Sequence, residues 1–173
     1  PAAICVLTIL FAVREPGSTP RTGTKPAVWP IQRDEMNRLG HSFWTLQIIA
    51  AAFGLARFSE AFLLLRVQGS GISLALVPGT LIVMNVVYAA SAYPAGWLSD
   101  QLPRSLLLLL GAAVLAGAQI ALTQPGLLAA LAGVSLWGLH LGLSQGVLSA
   151  MVADASPSDR RGTAFGVFNL VSG

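Results

Sequence analysis

The chain has 173 residues, of which 54% are hydrophobic and only 10% carry a charge. Soluble globular domains contain about 25% charged residues, so this composition excludes an ordinary soluble protein and predicts a polytopic membrane protein. The net charge of +3 comes mainly from arginine; it bears on membrane orientation, and we expect no nucleic-acid partner. The single cysteine, Cys5, excludes an internal disulfide framework and a cysteine-pair metal site, and we expect no bound metal.

The apolar runs divide the chain into predicted membrane segments. A helix needs about 20 predominantly apolar residues to cross a bilayer, and four runs come close to that length. Residues 1–13 are predicted to end a preceding helix, and residues 14–41 to form a polar loop. Because the sequence begins at Pro1 without methionine and stops inside an apolar run, we interpret it as an internal fragment. We therefore predict an all-α, polytopic transmembrane helical bundle over 42–173, with spans at about 42–65, 72–98, 106–123, 127–152 and, in part, 162–173.

The basic residues give the predicted orientation. Eight of the ten lie in three loops, at residues 14–41, 99–105 and 153–161, and alternating spans place these loops on one side of the membrane. The positive-inside rule makes that side cytoplasmic. Arg66 lies in a loop on the other side, and Arg57 lies inside a span.

Ionisable side chains inside the apolar segments are the first candidate site residues. Arg57 and Glu60 stand three residues apart in the 42–65 span, where an isolated charge is costly. They can bind a charged substrate, and Glu60 can carry a proton, or the two can neutralise each other as a structural pair. His140 can serve in proton coupling or be a hydrogen-bonded structural histidine.

Two other spans carry polar faces. In the 127–152 span, a glycine at every fourth position forms a ridge that lets another helix approach closely: Gly138, Gly142 and Gly146. At 100° per residue, the opposite side of this helix carries Trp137, His140 and Ser144. As substrate contacts or as interhelical hydrogen-bonding groups we also consider Asn85, Tyr88 and Gln145.

Residues 93–111 form a predicted membrane hairpin, with the polar turn 99–105 between two apolar runs. Inside it, Gly96-Trp97-Leu98-Ser99-Asp100-Gln101-Leu102-Pro103-Arg104-Ser105 resembles the cytoplasmic signature of the major facilitator superfamily, Gly-x-Leu-x-Asp-(Arg/Lys)-x-Gly-(Arg/Lys)-(Arg/Lys). Gly96, Leu98, Asp100 and Arg104 match the signature, whereas Gln101, Pro103 and Ser105 depart from it. Residues 154–166 are similar to the loop and helix start that precede helix 11 in that family.

The resemblance spans essentially the whole chain. It implies a truncated C-terminal six-helix domain, from the end of helix 6 to the start of helix 11, with the N-terminal half of the same transporter as partner. It also implies alternating access, with substrate held between the two halves. For the cytoplasmic gating motif it points to Gly96, Asp100, Arg104, Asp154, Arg161 and Gly162, although a charge that only holds a loop in water is the alternative for Asp100, and for Asp154 and Arg161.

The motifs argue against an enzyme. Gly142-Leu143-Ser144-Gln145-Gly146 spells the Gly-x-Ser-x-Gly pattern of hydrolases, but that pattern needs a strand, a sharp turn and a helix, and here it lies within one apolar helix. No metalloprotease or phosphate-loop motif occurs, so we expect no ATP and no cofactor beyond a proton gradient. A channel is disfavoured because the spans lack a filter motif.

We therefore predict a secondary active transporter that exports drugs or small metabolites and is driven by protons. Its partners would be membrane lipid and a small-molecule substrate. The location in the inner membrane of a bacterium follows from the resemblance. Uptake by a permease of the same fold, and a non-transporting scaffold or sensor, are the alternatives.

Overall fold

The computed structural model describes residues 39–57, 59–158 and 160–172. The predicted helix end at 1–13 and nearly all of the loop 14–41 lie outside these residues. All regular structure within them is helical, which confirms the all-α prediction. The elements are α1 (His41–Ala56), α2 (Glu60–Gln68), a 3-10 turn (Leu74–Leu76), α3 (Val77–Ser99), α4 (Arg104–Thr123), α5 (Leu127–Ala155) and α6 (Arg161–Ser172).

Within the described part, four stretches are long and apolar enough to cross a membrane. Their lengths of 28, 26, 20 and 29 residues reach or exceed the roughly 20 residues that a bilayer requires. The first of them is not one helix, because α1 ends at Ala56 and α2 begins at Glu60. The structure thus divides the predicted span 42–65. The four stretches are His41–Gln68, Leu74–Ser99, Arg104–Thr123 and Leu127–Ala155.

Short turns connect α3, α4 and α5. Pro103 stands immediately before α4, where a residue without an N–H donor leaves no helical hydrogen bond unmade. Between α4 and α5, Gly126 has a φ of +96°, a left-handed conformation that glycine adopts without steric cost. The short turn between α4 and α5 makes these two helices antiparallel neighbours, whereas α3 and α4 barely touch because α5 lies between them.

The helix α5 is central, because α3 packs on one of its sides and α4 on the other. The glycine ridge faces α3: a Cβ at Gly138 would overlap the backbone of Met84, and one at Gly142 would overlap Ser91. The face of α4 that packs on α5 is buried and consists of Leu107, Leu108, Gly111, Leu115, Ala118 and Leu122. The opposite face of α4 exposes Leu109, Leu110 and Ile120, as expected of a helix that meets lipid.

The two parts of the interrupted span, α1 and α2, both contact α5. The buried side chains of α1 recur every three or four residues, the spacing of one helical face: Phe43, Leu46, Gln47, Ala50 and Phe53. This face packs against α5 and α6, while α2 contacts α3 and α5. The interruption therefore lies beside the central helix, where α1, α5 and α6 meet.

Candidate functional site

The candidate site is built around the break between α1 and α2. Arg57 has extended backbone angles, φ −92° and ψ 132°, and its N–H donates to the Phe53 carbonyl, so α1 ends there. The hydroxyl of Ser59 accepts a hydrogen bond from the N–H of Ala61, as a serine N-cap does, and starts α2. Non-helical backbone at membrane depth is tolerated where protein covers it or where it lines a cavity.

Two cavities adjoin this break. The first cavity has a volume of about 270 Å³ and lies between α1, α5 and α6. Its polar lining consists of Arg57, Ser144, Gln145, Ser149, Asn169 and Ser172. The second cavity has a volume of about 450 Å³ and lies on the α2 side of the break. Its polar lining shares Arg57, Gln145 and Ser172 with the first and adds Ser59, Glu60 and Trp137.

The two charges at the break do not pair with each other. No ion pair joins Arg57 to Glu60, both of which the structure describes. Nη2 of Arg57 donates instead to the backbone carbonyl of Ser172, over 3.4 Å, and Glu60 is exposed. The structural pairing that the sequence allowed is therefore not formed, and a cation and an anion face the second cavity separately.

His140 is buried on the side of α5 that faces α4. Its Nδ1 lies 2.9 Å from the carbonyl oxygen of Gly111, and its ring stacks on Phe53 with the centroids 5.4 Å apart. Because a carbonyl oxygen only accepts, we assign the proton of the neutral ring to Nδ1, which leaves Nε2 as an acceptor. That Nε2 has no hydrogen-bond partner among the described residues. His140 thus makes one structural hydrogen bond through Nδ1, and its second ring nitrogen, Nε2, is an acceptor that none of the described residues uses.

The other predicted pathway residues divide into two groups. Ser144 donates to the carbonyl of His140 over 2.8 Å, and Gln145 accepts from the Tyr88 hydroxyl over 3.4 Å, which places Tyr88 at the edge of the cavities. Asn85 lies apart from them: its amide donates to Leu81 within its own helix, over 2.7 Å.

Sequence reasoning missed several residues that line the cavities or hold the break. Ser149 lies one helical turn after Gln145, a spacing that puts both on one face of α5. Asn169 is the one amide in the 162–173 run, which was predicted only in part. Gln119 donates to the carbonyl of Ala56, the last residue of α1, over 2.6 Å. Its signal in the sequence was a lone polar side chain in a leucine-rich helix.

The predicted gating residues lie at helix ends. Arg104 begins α4, and its Nη1 forms an ion pair with Oδ2 of Asp154, near the end of α5, at 2.5 Å. The positive charge of Arg104 at the N-terminus of α4 is unfavourable in the field of the helix dipole. The ion pair with Asp154 offsets this unfavourable interaction. Asp100 follows the last residue of α3 and forms no ion pair with any residue that the structure describes. The exposed members of the motif also include Gly96, Arg161 and Gly162.

Comparison with known proteins identifies the family. The model of the Major Facilitator Superfamily matches residues 1–173. Over 136 residues the chain is 32% identical to the uncharacterized MFS-type transporter MJ1317 of Methanocaldococcus jannaschii, which covers 73% of this chain and 33% of that protein. The chain thus spans about a third of that relative's length, and no solved structure matches it. With four helical stretches fit to cross a membrane, the chain is part of a multi-pass membrane protein and belongs to the major facilitator superfamily.

Proposed function

We propose that this chain supplies part of a secondary active transporter, which moves a small molecule across the membrane by alternating access. The observation that carries the proposal is the break at Arg57, where an apolar span adjoins two cavities. Arg57 and Glu60 both line the second cavity and form no ion pair with each other. Charged groups inside membrane spans are costly, and they usually mark the route of a substrate or an ion. The N-terminal half of the same transporter would supply the other wall of the cavity.

The coupling ion in this proposal is the proton, and the direction is export through the inner membrane. Glu60 supports proton coupling because a carboxyl group in a cavity can be loaded and emptied during the cycle. His140 supports it because its Nε2 is an unused, buried acceptor. In the proposed orientation the loops 14–41, 99–105 and 153–161 face the cytoplasm, as the distribution of arginine favours.

The test uses the full-length parent protein in a bacterium that lacks its major efflux pumps. Growth is measured against a panel of toxic compounds for the parent and for Glu60→Gln and Arg57→Ala, at equal amounts of protein in the membrane. Glu60→Asp and Arg57→Lys serve as controls that keep the charge: the first shortens the side chain, and the second replaces the planar guanidinium with an ammonium group. We expect the parent to confer resistance, the two neutral variants to lose it and the two conservative variants to retain part of it.

The possible outcomes separate the parts of the proposal. Resistance that survives both neutral variants would remove Arg57 and Glu60 from the pathway while leaving transport intact. Resistance that Glu60→Gln abolishes but that does not depend on the proton gradient would make Glu60 a substrate ligand and contradict proton coupling. A parent that changes no susceptibility would contradict export, and uptake of a metabolite would then be tested with the same variants.

A further inference from the structure

We infer that Gln119 is a positioning residue, which holds the break between α1 and α2 from the side of α4. The inference rests on the proposed role of the break in transport, but the contact itself is a separate observation. Gln119 is the only polar side chain between Leu106 and Leu122 in the sequence. Its Nε2 donates to the carbonyl oxygen of Ala56, over 2.6 Å.

The surroundings of Gln119 show that dense packing does not impose this bond. An apolar groove of about 350 Å³ lies between α1 and α4, and a second groove of about 540 Å³ lies between α2 and α4. Gln119 lines both grooves. The α4 helix therefore reaches the break through this side chain, with open space on either side of it.

The Ala56 carbonyl needs a donor because the helix stops. In a continuous helix the N–H of Glu60 would donate to it, but the structure forms no such bond. An unsatisfied carbonyl at membrane depth is costly, and Gln119 supplies the missing donor. Without it, the carbonyl regains a partner when the helix continues through the break and the N–H of Glu60 reaches it.

Continuation of the helix would change the site. It would place Arg57 and Glu60 on one helical face, three residues apart, where opposite charges attract each other. The hydrogen bond from Gln119 favours the broken form and thereby keeps the two charges apart at the second cavity. Gln119 lines neither the first nor the second cavity, but by favouring the broken form it influences the geometry of both.

The test measures how often the helix is continuous, and it requires no substrate. In the full-length parent, native cysteines including Cys5 are replaced by serine, and a pair is introduced as Leu55→Cys and Ser59→Cys. The loss of the Ser59 N-cap is common to every variant that carries this pair, so it cancels when the variants are compared with one another. In a continuous helix these positions are one turn apart, with Cβ atoms about 6 Å apart, so a short bifunctional thiol reagent can join them. The crosslinking rate rises as the population of the continuous form rises.

A reference pair removes the effects of reagent and pH. Ile82→Cys and Val86→Cys have the same spacing inside α3, and both native side chains are exposed. We expect Gln119→Leu to raise the ratio of the two crosslinking rates by about three- to five-fold, the range that corresponds to roughly 0.6–1 kcal/mol. Thr123→Val is the control that should leave the ratio unchanged, because the Thr123 hydroxyl donates only within its own helix.

A second variant gives a signature that a merely structural role would not produce. In Gln119→Glu the side chain can donate to the Ala56 carbonyl only when it is protonated. The rate ratio should therefore match that of the parent at acidic pH and rise towards that of Gln119→Leu at alkaline pH.

A ratio that is independent of pH in Gln119→Glu overturns the inference, as does a folded Gln119→Leu with the ratio of the parent. If Gln119→Leu does not fold, the pH comparison decides alone. A failure of transport would leave this result unaffected.

Discussion

The glycine ridge of α5 offers a sharp test of the packing, because two of its members lie in different surroundings. A Cβ added to Gly138 would overlap the backbone carbonyl of Met84 in α3, whereas a Cβ added to Gly146 would meet no other part of the described chain within 4 Å. The same substitution, glycine to alanine, therefore meets backbone at one site and open space at the other. The backbone of a packed helix cannot yield as the tip of a flexible side chain can.

The expected magnitudes follow from two opposing terms. Alanine is favoured over glycine inside a helix by about 1 kcal/mol, and this gain applies at both positions. Overpacking a filled interior costs roughly 1–3 kcal/mol, and this cost applies only at Gly138. The helix term cancels in the comparison, so Gly138→Ala should be less stable than Gly146→Ala by roughly 1–3 kcal/mol.

The assay is thermal unfolding of the full-length parent in detergent, followed by the fraction that remains monodisperse on size-exclusion chromatography. Gly138→Ala should melt below the parent, and Gly146→Ala at or above it. Equal melting temperatures for the two variants would refute the argument that α3 touches the ridge at Gly138. A loss of stability at Gly146 alone would show that another part of the protein covers that position.

Two further predictions concern groups outside the ridge. Asp154→Arg should lower stability by less than about 1 kcal/mol, because the pair that Asp154 forms with Arg104 is partly exposed. The double variant Arg104→Asp, Asp154→Arg should recover most of that loss, and additive effects in a double-mutant cycle of melting temperatures would contradict the pairing. His140→Phe keeps an aromatic ring to stack on Phe53 but removes the donor to the Gly111 carbonyl, so we expect a loss of about 0.5–1.5 kcal/mol in the same melting assay. A variant more stable than the parent would contradict this prediction, and it would show that the cost of the buried, unpartnered Nε2 exceeds the gain from this hydrogen bond.

Hydropathy predicted the fold class because the apolar runs leave little choice of structure. In a bilayer every backbone group must be bonded within the protein, so a run such as Leu106 to Leu122 becomes a helix wherever its neighbours lie. The turn residues located the ends: the structure starts α4 directly after Pro103, two residues before the predicted start. The signature around Asp100 pointed to the family that the family model matches over the whole chain.

The break and the cavities could not be predicted in the same way. Hydropathy averages over a window, and a short interruption of the helix does not change the average enough to divide a span. The partner that satisfies the end of α1 lies 63 residues further along the chain, and no local pattern connects Gln119 to Ala56. The pairing of Arg57 with Glu60 was one of the alternatives that the sequence left open, and it depends on a continuous helix, which the structure does not have.

The charge at Arg57 shows why the break and the proposed function belong together. Insertion of an arginine at the centre of a membrane helix costs about 2.5–3.5 kcal/mol, and a straight helix would reduce that cost by bringing Glu60 onto the same face. The chain has instead an extended residue at Arg57, an N-cap at Ser59 and a donor from α4 at the end of α1. These three features all favour the arrangement in which the charges stay apart. A purely structural pair would gain nothing from them, whereas a transport site needs charges that a substrate or a proton can reach and neutralise in turn.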